Sequence, residues 1–187
     1  LLINDPSMVE RAEIIREKGT NRSRFLRGQV DKYTWTDIGS SYVISDLLAA
    51  YLYAQLEARE TILAKRLAIW DRYRELLSMT ASQHKFKLPS VPCDAKHTGH
   101  LFYLLASSNQ ERDALIAHLK HRKIHSVFHY VPLHSSPMGV KYGAKIDDCP
   151  VTTDISERLL RLPFYNSLEA GDQLRIAAAI EEYYSRK

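Results

Sequence analysis

Between two helix-like segments lies a stretch with little periodicity of its own, residues 19–46, GTNRSRFLRGQVDKYTWTDIGSSYVISD. Its flanks are regular. Upstream, Asp5 is placed to cap a helix, with Pro6 at the first helical position. Met8, Val9, Ala12 and Ile15 then line one face as far as Lys18, and Gly19 is a natural stop. Downstream, Ser45 caps a second helix and Asp46 suits its positive end. The stretch between holds Arg22, Arg24, Arg27 and Lys32, with Arg16 just ahead, and the large aromatics Tyr33, Trp35 and Tyr42. Connections of this length are uncommon inside compact domains and are usually functional or disordered. The aromatics and glycine turns argue against disorder. A long surface connection is the plain alternative.

The rest of the chain alternates. Leu48, Leu52, Leu56, Leu63, Leu67, Trp70 and Leu77 recur at helical spacing as far as Ser78, longer than an ordinary globular helix. A break is therefore expected near Arg59 or Glu60. Tyr51, Tyr53, Trp70 and Tyr73 are expected in core or interface. Residues 80–98 read as a polar connection with a short strand at 86–88. Residues 100–106 (HLFYLLA) read as a buried strand, and Ser107-Ser108 cap a helix over 109–122 with Leu115 and Leu119 inward. A strand over 124–130, a Gly/Pro/Ser-rich loop over 131–150, a helix over 153–160 and an extended piece over 161–164 follow. The last helix spans 169–184, burying Leu174, Ala177, Ile180 and Tyr184. This alternation predicts an α/β class with a small sheet covered by helices.

Length and charge narrow the function. A chain of 187 residues is one domain, or one with a small appendage. A net charge of +4 suits an anionic small substrate and is too diffuse to argue for nucleic acid. Cys93 and Cys149 are far apart and form no CxxC, which suggests a reducing compartment. No apolar run approaches the ~18 residues of a membrane span, and no signal peptide is visible, so a cytoplasmic protein is expected. There is no initiator Met, and Leu1 to Ile3 read as the tail of a strand, which suggests a piece of a longer protein.

The eight histidines invite a metal reading. His97 and His100, His118 and His121, and His121 and His125 have suggestive spacings, but none has an HExxH context or a carboxylate at a matching offset. No metal site is expected. The run His129-Tyr130-Val131-Pro132-Leu133-His134 differs, because it leaves a strand end and enters a loop, where functional groups gather. A histidine there titrates near neutral pH and can hold a phosphate or move a proton. No GxGxxG, P-loop or GxSxG is present. Gly39-Ser40-Ser41 ahead of a helix offers hydroxyls and backbone N–H groups to a phosphate.

In the order of these features the chain resembles the C-terminal half of the DegT/DnrJ/EryC1/StrS sugar aminotransferases. The matching pieces are Leu2-Ile3-Asn4-Asp5, the helix to Gly19, Gly39 to Asp46, His97 with His100-Leu101-Phe102, the run His129 to His134, and Leu162-Pro163. The match is tightest to the branch that reads GTNR..F..G..DKY.W.D.GSSY. The resemblance implies a fold type I (aspartate aminotransferase-like) architecture and pyridoxal 5′-phosphate (PLP) as cofactor. It implies a homodimer with a shared active site, and glutamate and a dTDP-linked keto sugar as substrates. Residues 1–58, with an active-site arm over 19–46, are then the end of the large domain. Residues 59–187 are the linking helix and the small domain.

The resemblance also implies roles. Ser41, with Ser40, would hold the PLP phosphate of the partner subunit. Arg22, Lys32, Tyr33 and Trp35 would serve the nucleotide sugar, as cations for the diphosphate and aromatic faces for sugar and base. Tyr130 and His134 would lie near the sugar. Two departures stand out: Ser41 where many members have Asn, and Val43 where many have Arg. The Schiff-base lysine of the family lies upstream of Leu1, so no catalytic residue is assigned within this chain, which would then be inactive alone. Two other classes compete, a non-catalytic dimerisation or nucleotide-sugar-binding module and a basic nucleic-acid-binding domain.

Overall fold

The structure, a computed structural model, describes residues 1–84 and 86–186; the expected connection over 80–98 includes Lys85, which lies outside them. The chain divides into two compact units, Leu1–Ala58 and Arg59–Lys187.

The first unit carries three helices, α1 (Val9–Arg16), α2 (Arg22–Leu26) and α3 (Asp46–Glu57). The Asp5 carboxylate accepts from the Ser7 backbone N–H at 2.9 Å and starts the turn that leads into α1. Helix α1 stops two residues short of the expected end at Lys18. Leu1 to Ile3 form no strand, because no described segment pairs with them. Helix α2 lies inside the stretch read as aperiodic. It carries ion pairs rather than a buried apolar face: Arg24 meets Glu10 at 2.6 Å and Arg27, just past its end, meets Glu13 through two bonds of 2.7 and 2.8 Å, both acids on α1. Helix α3 starts at Ser45, whose hydroxyl accepts from the Leu48 N–H, and ends at Ala58, beside the expected break. No α3 residue is buried, so Tyr51 and Tyr53 are exposed rather than in a core of this unit.

The second unit begins with α4 (Arg59–His84), which outruns its expected end at Ser78 because Thr80 is buried and Ala81 packs on the core. There follow β1 (Tyr103–Leu105), α5 (Asn109–His121), β2 (Val127–Phe128), α6 (Pro137–Lys141), α7 (Pro150–Arg158), β3 (Leu159–Arg161) and α8 (Ala170–Ser185). The sheet order is β1-β3-β2, antiparallel throughout.

The central strand is the largest correction. Residues 159–160 were expected to end a helix, yet Leu159 leaves α7 directly into extended backbone. Leu160 pairs with Leu104 on one side and Phe128 on the other, and this two-sided ladder outweighs helical continuation. The outer strands shrink to three and two residues, and the expected strand at 86–88 is a single bridge from Lys87 to Leu105.

Tyr73, Leu77, Phe102, Leu104, Leu115, Leu119, Leu160, Ile176 and Ile180 are almost wholly shielded from solvent. The Tyr73 hydroxyl donates to the Pro163 carbonyl at 2.9 Å, and burial pushes its phenol well above the ordinary range. Gln173 is buried with its amide on the Ile69 carbonyl at 2.8 Å, while Leu174, expected inward, is 49% exposed. The buried face of α8 therefore runs through 173, 176, 177, 180 and 184, one position away from Leu174. Leu160→Ala should lower the unfolding free energy by about 2–5 kcal/mol, and Leu174→Ala should change it by less than about 0.5 kcal/mol. Urea denaturation of both variants measures the contrast.

Candidate active site

The site in the first unit is built on the C-terminal end of α1. Lys18 and Gly19 both adopt left-handed backbone, with φ of 62° and 77°. This turns the chain so that the Gly19 N–H closes on the Ile14 carbonyl at 2.8 Å. The next two carbonyls of the helix are capped by residues that return from the far end of the arm. Ser40 N–H donates to Ile15 at 2.9 Å and Tyr42 N–H to Arg16 at 3.1 Å, while Lys18 N–H donates back to the Ser40 carbonyl at 3.0 Å.

The return is possible only because two glycines cross. A Cβ on Gly39 would lie 2.1 Å from the Gly19 nitrogen, and one on Gly19 would lie 1.7 Å from the Asp37 carbonyl oxygen. Asn21 fastens the middle of the arm, donating to the Lys32 carbonyl at 3.2 Å and accepting from the Thr34 N–H at 2.8 Å. Arg11 and Asp37 form a further ion pair.

Ser41 is thereby held beside the helix end, in a hollow of about 420 Å³. Arg16, Lys18, Arg22 and Tyr33 line it with Ser41, and Glu17 and Asp46 supply its carboxylates. The Ser41 hydroxyl makes no hydrogen bond and Lys18 no ion pair among the described residues. Arg22 sits 3.7 Å from Glu17. A free hydroxyl, three cations and a phenol form a donor set that fits a phosphate.

Of the residues singled out in the arm, the structure brings Ser41, Arg22 and Tyr33 together. Ser40, Lys32 and Trp35 do not line the hollow. The Ser40 N–H, expected to be available to a phosphate, is taken by the Ile15 carbonyl. Trp35 is exposed and bridges to Thr20, and Lys32 is exposed with its carbonyl held by Asn21. Arg24 and Arg27, counted in sequence with the functional cations, are occupied by Glu10 and Glu13. Lys18 is the lining cation that sequence reasoning passed over. Its position just before a helix-stopping glycine is the only hint.

In the second unit, Tyr130 and His134 have different surroundings. His134 Nε2 lies 3.1 Å from the Thr153 hydroxyl. Tyr130 lines a hollow of about 430 Å³ with His129, Leu133, Val151 and Ile155. Burial, then the nearby Arg161 charge, lowers the His129 pKa below the ordinary value. Among the described residues no group of three metal-ligating side chains converges, and no helix is long and apolar enough to cross a membrane.

A mixed α/β chain with a phosphate-fitting hollow has close structural company. DesV of Streptomyces venezuelae, solved in complex with a ketimine intermediate, matches with a TM-score of 0.81 at 26% identity, over 100% of this chain and 46% of that one. The fold is thus that of the α/β aminotransferases. GDP-perosamine synthase of Escherichia coli O157:H7 is 29% identical over 171 residues, 89% of this chain and 45% of the relative. The dTDP-3-amino-3,4,6-trideoxy-alpha-D-glucose transaminase of S. venezuelae is 27% identical over 187 residues, 100% of this chain and 45% of the relative. Residues 1–181 match the DegT/DnrJ/EryC1/StrS aminotransferase family, and the chain belongs to it. It spans a little less than half the length of these relatives.

Two outcomes test the arm. Gly39→Ala should open the crossing, and hydrogen exchange at the Lys18 and Ser40 amides should accelerate relative to the wild type. The Glu13 carboxyl is held below its ordinary value, first by its hydrogen bonds from Arg27. Its contribution is therefore present above the ordinary glutamate pKa and lost as pH falls through the lowered one. Acid-induced loosening of the arm, followed by the same exchange, should be blunted in Glu13→Gln.

Proposed function

We propose that this chain supplies the arm and small domain of a PLP-dependent nucleotide-sugar aminotransferase. Residues 1–58 are taken as the end of its large domain and 59–187 as the linking helix and small domain. The observation that carries the reading is the cationic hollow around the unbonded Ser41 hydroxyl. When bound, PLP supplies the electron sink that lets an amino group pass between an amino acid and a keto sugar.

The chain's own residues bind and orient. Ser41 donates its hydroxyl to the cofactor phosphate of the partner subunit in a homodimer, with Lys18 and Arg16 supplying charge. Ser40 is left with only its hydroxyl for that task. Arg22 and Tyr33 share the hollow and extend it toward the diphosphate and sugar. Lys32 and Trp35, exposed on the arm, serve the nucleotide sugar as cation and aromatic face. Tyr130 and His134 are assigned to the sugar, with Thr153 holding the His134 ring.

The substrate follows from the branch pattern in the arm. We assign conversion of dTDP-4-keto-6-deoxyglucose to dTDP-4-amino-4,6-dideoxygalactose, with glutamate as amino donor. This is the activity of the dTDP-4-amino-4,6-dideoxygalactose transaminase of enterobacterial common antigen synthesis, a cytoplasmic enzyme. The S. venezuelae relative, named for a dTDP-sugar, supports the dTDP class. A related 3-keto or 4-keto dTDP-sugar aminotransferase is the alternative that a substrate panel separates.

In the full-length enzyme, Ser41→Ala should weaken PLP retention about tenfold or more, measured as cofactor fluorescence remaining after dialysis. Unchanged retention sinks the assignment. Lys32→Ala should raise KM for the nucleotide sugar more than KM for glutamate, and equal rises would remove Lys32 from the sugar site.

A further inference from the structure

The clasp that positions Ser41 positions a carboxylate as well. Lys18 N–H donates to the Ser40 carbonyl at 3.0 Å, and Tyr42 N–H donates to the Arg16 carbonyl at 3.1 Å. These two bonds flank an antiparallel bridge whose paired residues are Glu17 and Ser41. In a pair flanked this way the two Cα atoms lie about 4.5 Å apart and the side chains leave on the same face. Glu17 is thereby set beside the serine to which the reading above gives a phosphate.

The backbone of Glu17 is held on both sides. Its N–H donates to the Glu13 and Ile14 carbonyls, and its own carbonyl accepts from the Thr20 N–H at 3.1 Å and the Thr20 hydroxyl at 2.6 Å. Its side chain is only 13% exposed, whereas that of Arg22, its cation, is 58% exposed. The two stand 3.7 Å apart, inside ion-pair range and beyond hydrogen-bond range. Arg22 can therefore turn toward a ligand without breaking a hydrogen bond to Glu17, while the carboxylate stays where the clasp puts it.

A carboxylate works against the task assigned to this hollow. Carboxylate and phosphate are both anionic acceptors, so they repel each other and compete for the same donors. Arg16, Lys18 and Arg22 oppose Glu17 and Asp46, which leaves an excess of one positive charge. A phosphate monoester carries about two negative charges above its second pKa of about 6, and a phosphodiester carries one. The hollow balances the diester and falls short of the monoester. Taking away the Glu17 charge alone would raise the excess to two.

We infer that Glu17 is a specificity-determining residue of the phosphate hollow. It competes with the ligand for Arg22 and sets the hollow against doubly charged phosphates, so a monoester is held exchangeably rather than tightly. The inference rests on the reading of this hollow as a phosphate site. On that reading the cofactor's phosphate is retained less firmly than Ser41, Arg16, Lys18 and Arg22 would hold it without Glu17.

The test uses the full-length enzyme freed of cofactor and titrated with methyl phosphate and, separately, with dimethyl phosphate, followed by phosphorus NMR. The first ester is doubly charged at about pH 8, and the second is singly charged. E17Q should tighten methyl phosphate binding about tenfold or more, and dimethyl phosphate binding by much less. E17A should show the same selective gain, which keeps the test open where E17Q does not fold. E17D, which retains the charge, should stay near the wild type. No gain for methyl phosphate, equal gains for the two esters, or the same gain in E17D overturns the inference. A loss of methyl phosphate binding in S41A without a gain in E17Q keeps the phosphate site and removes the role of Glu17. A selective gain in E17Q with S41A unchanged supports Glu17 and retires Ser41, so the two failures are separate results.

Discussion

The end of α1 governs the first unit. A helix leaves its last carbonyls without intrahelical donors, and they must be satisfied from outside. Here Gly19, Ser40 and Tyr42 satisfy those of Ile14, Ile15 and Arg16 in turn. Two of the three donors arrive some twenty residues later in sequence. The helix cannot be finished until the arm has come back, and the arm cannot come back unless Gly19 and Gly39 pass backbone against backbone. The position of Ser41 is thus a by-product of capping. It is fixed by main-chain bonds on either side of it, which leaves its hydroxyl unspent.

Charge is sorted by the same closure. Pairing removes Arg11, Arg24 and Arg27 from consideration, through Asp37, Glu10 and Glu13. These pairs are exposed and contribute little energy each, but they decide which cations remain. Those left near the hollow are Arg16, Lys18 and Arg22, opposed by Glu17 and Asp46. A basic arm with diffuse charge in sequence becomes, once folded, a local excess of one positive charge beside a free hydroxyl.

Much of this was legible from residues alone where the cause is local. The Asp5, Ser45 and Ser108 caps and the break at Ala58 follow from side chains and neighbours in sequence, and they stand where the residues put them. What escaped has non-local causes. Helix α2 is tied to partners on α1, fourteen residues away. Strand β3 is set by ladders to two segments distant in sequence, and Leu159-Leu160 could read as helix or strand until those ladders are known. The same holds at the site. Ser41, Arg22 and Tyr33 were visible as types in a loop, but the demotion of the Ser40 N–H and the entry of Lys18 depend on a crossing that no periodicity encodes.

The crossing also makes the arm a loop with clasped ends and an exposed tip. A Cβ on Gly28 would meet nothing within 4 Å, so the tip is open on the molecule's surface. Chain closure grows only logarithmically with length, about 0.6 kcal/mol for each doubling. Insertions or deletions around 28–31 therefore leave the clasp at Gly19 and Gly39 untouched. A lineage of such proteins can lengthen or trim the tip and present different side chains there, while the serine at the clasp stays in register.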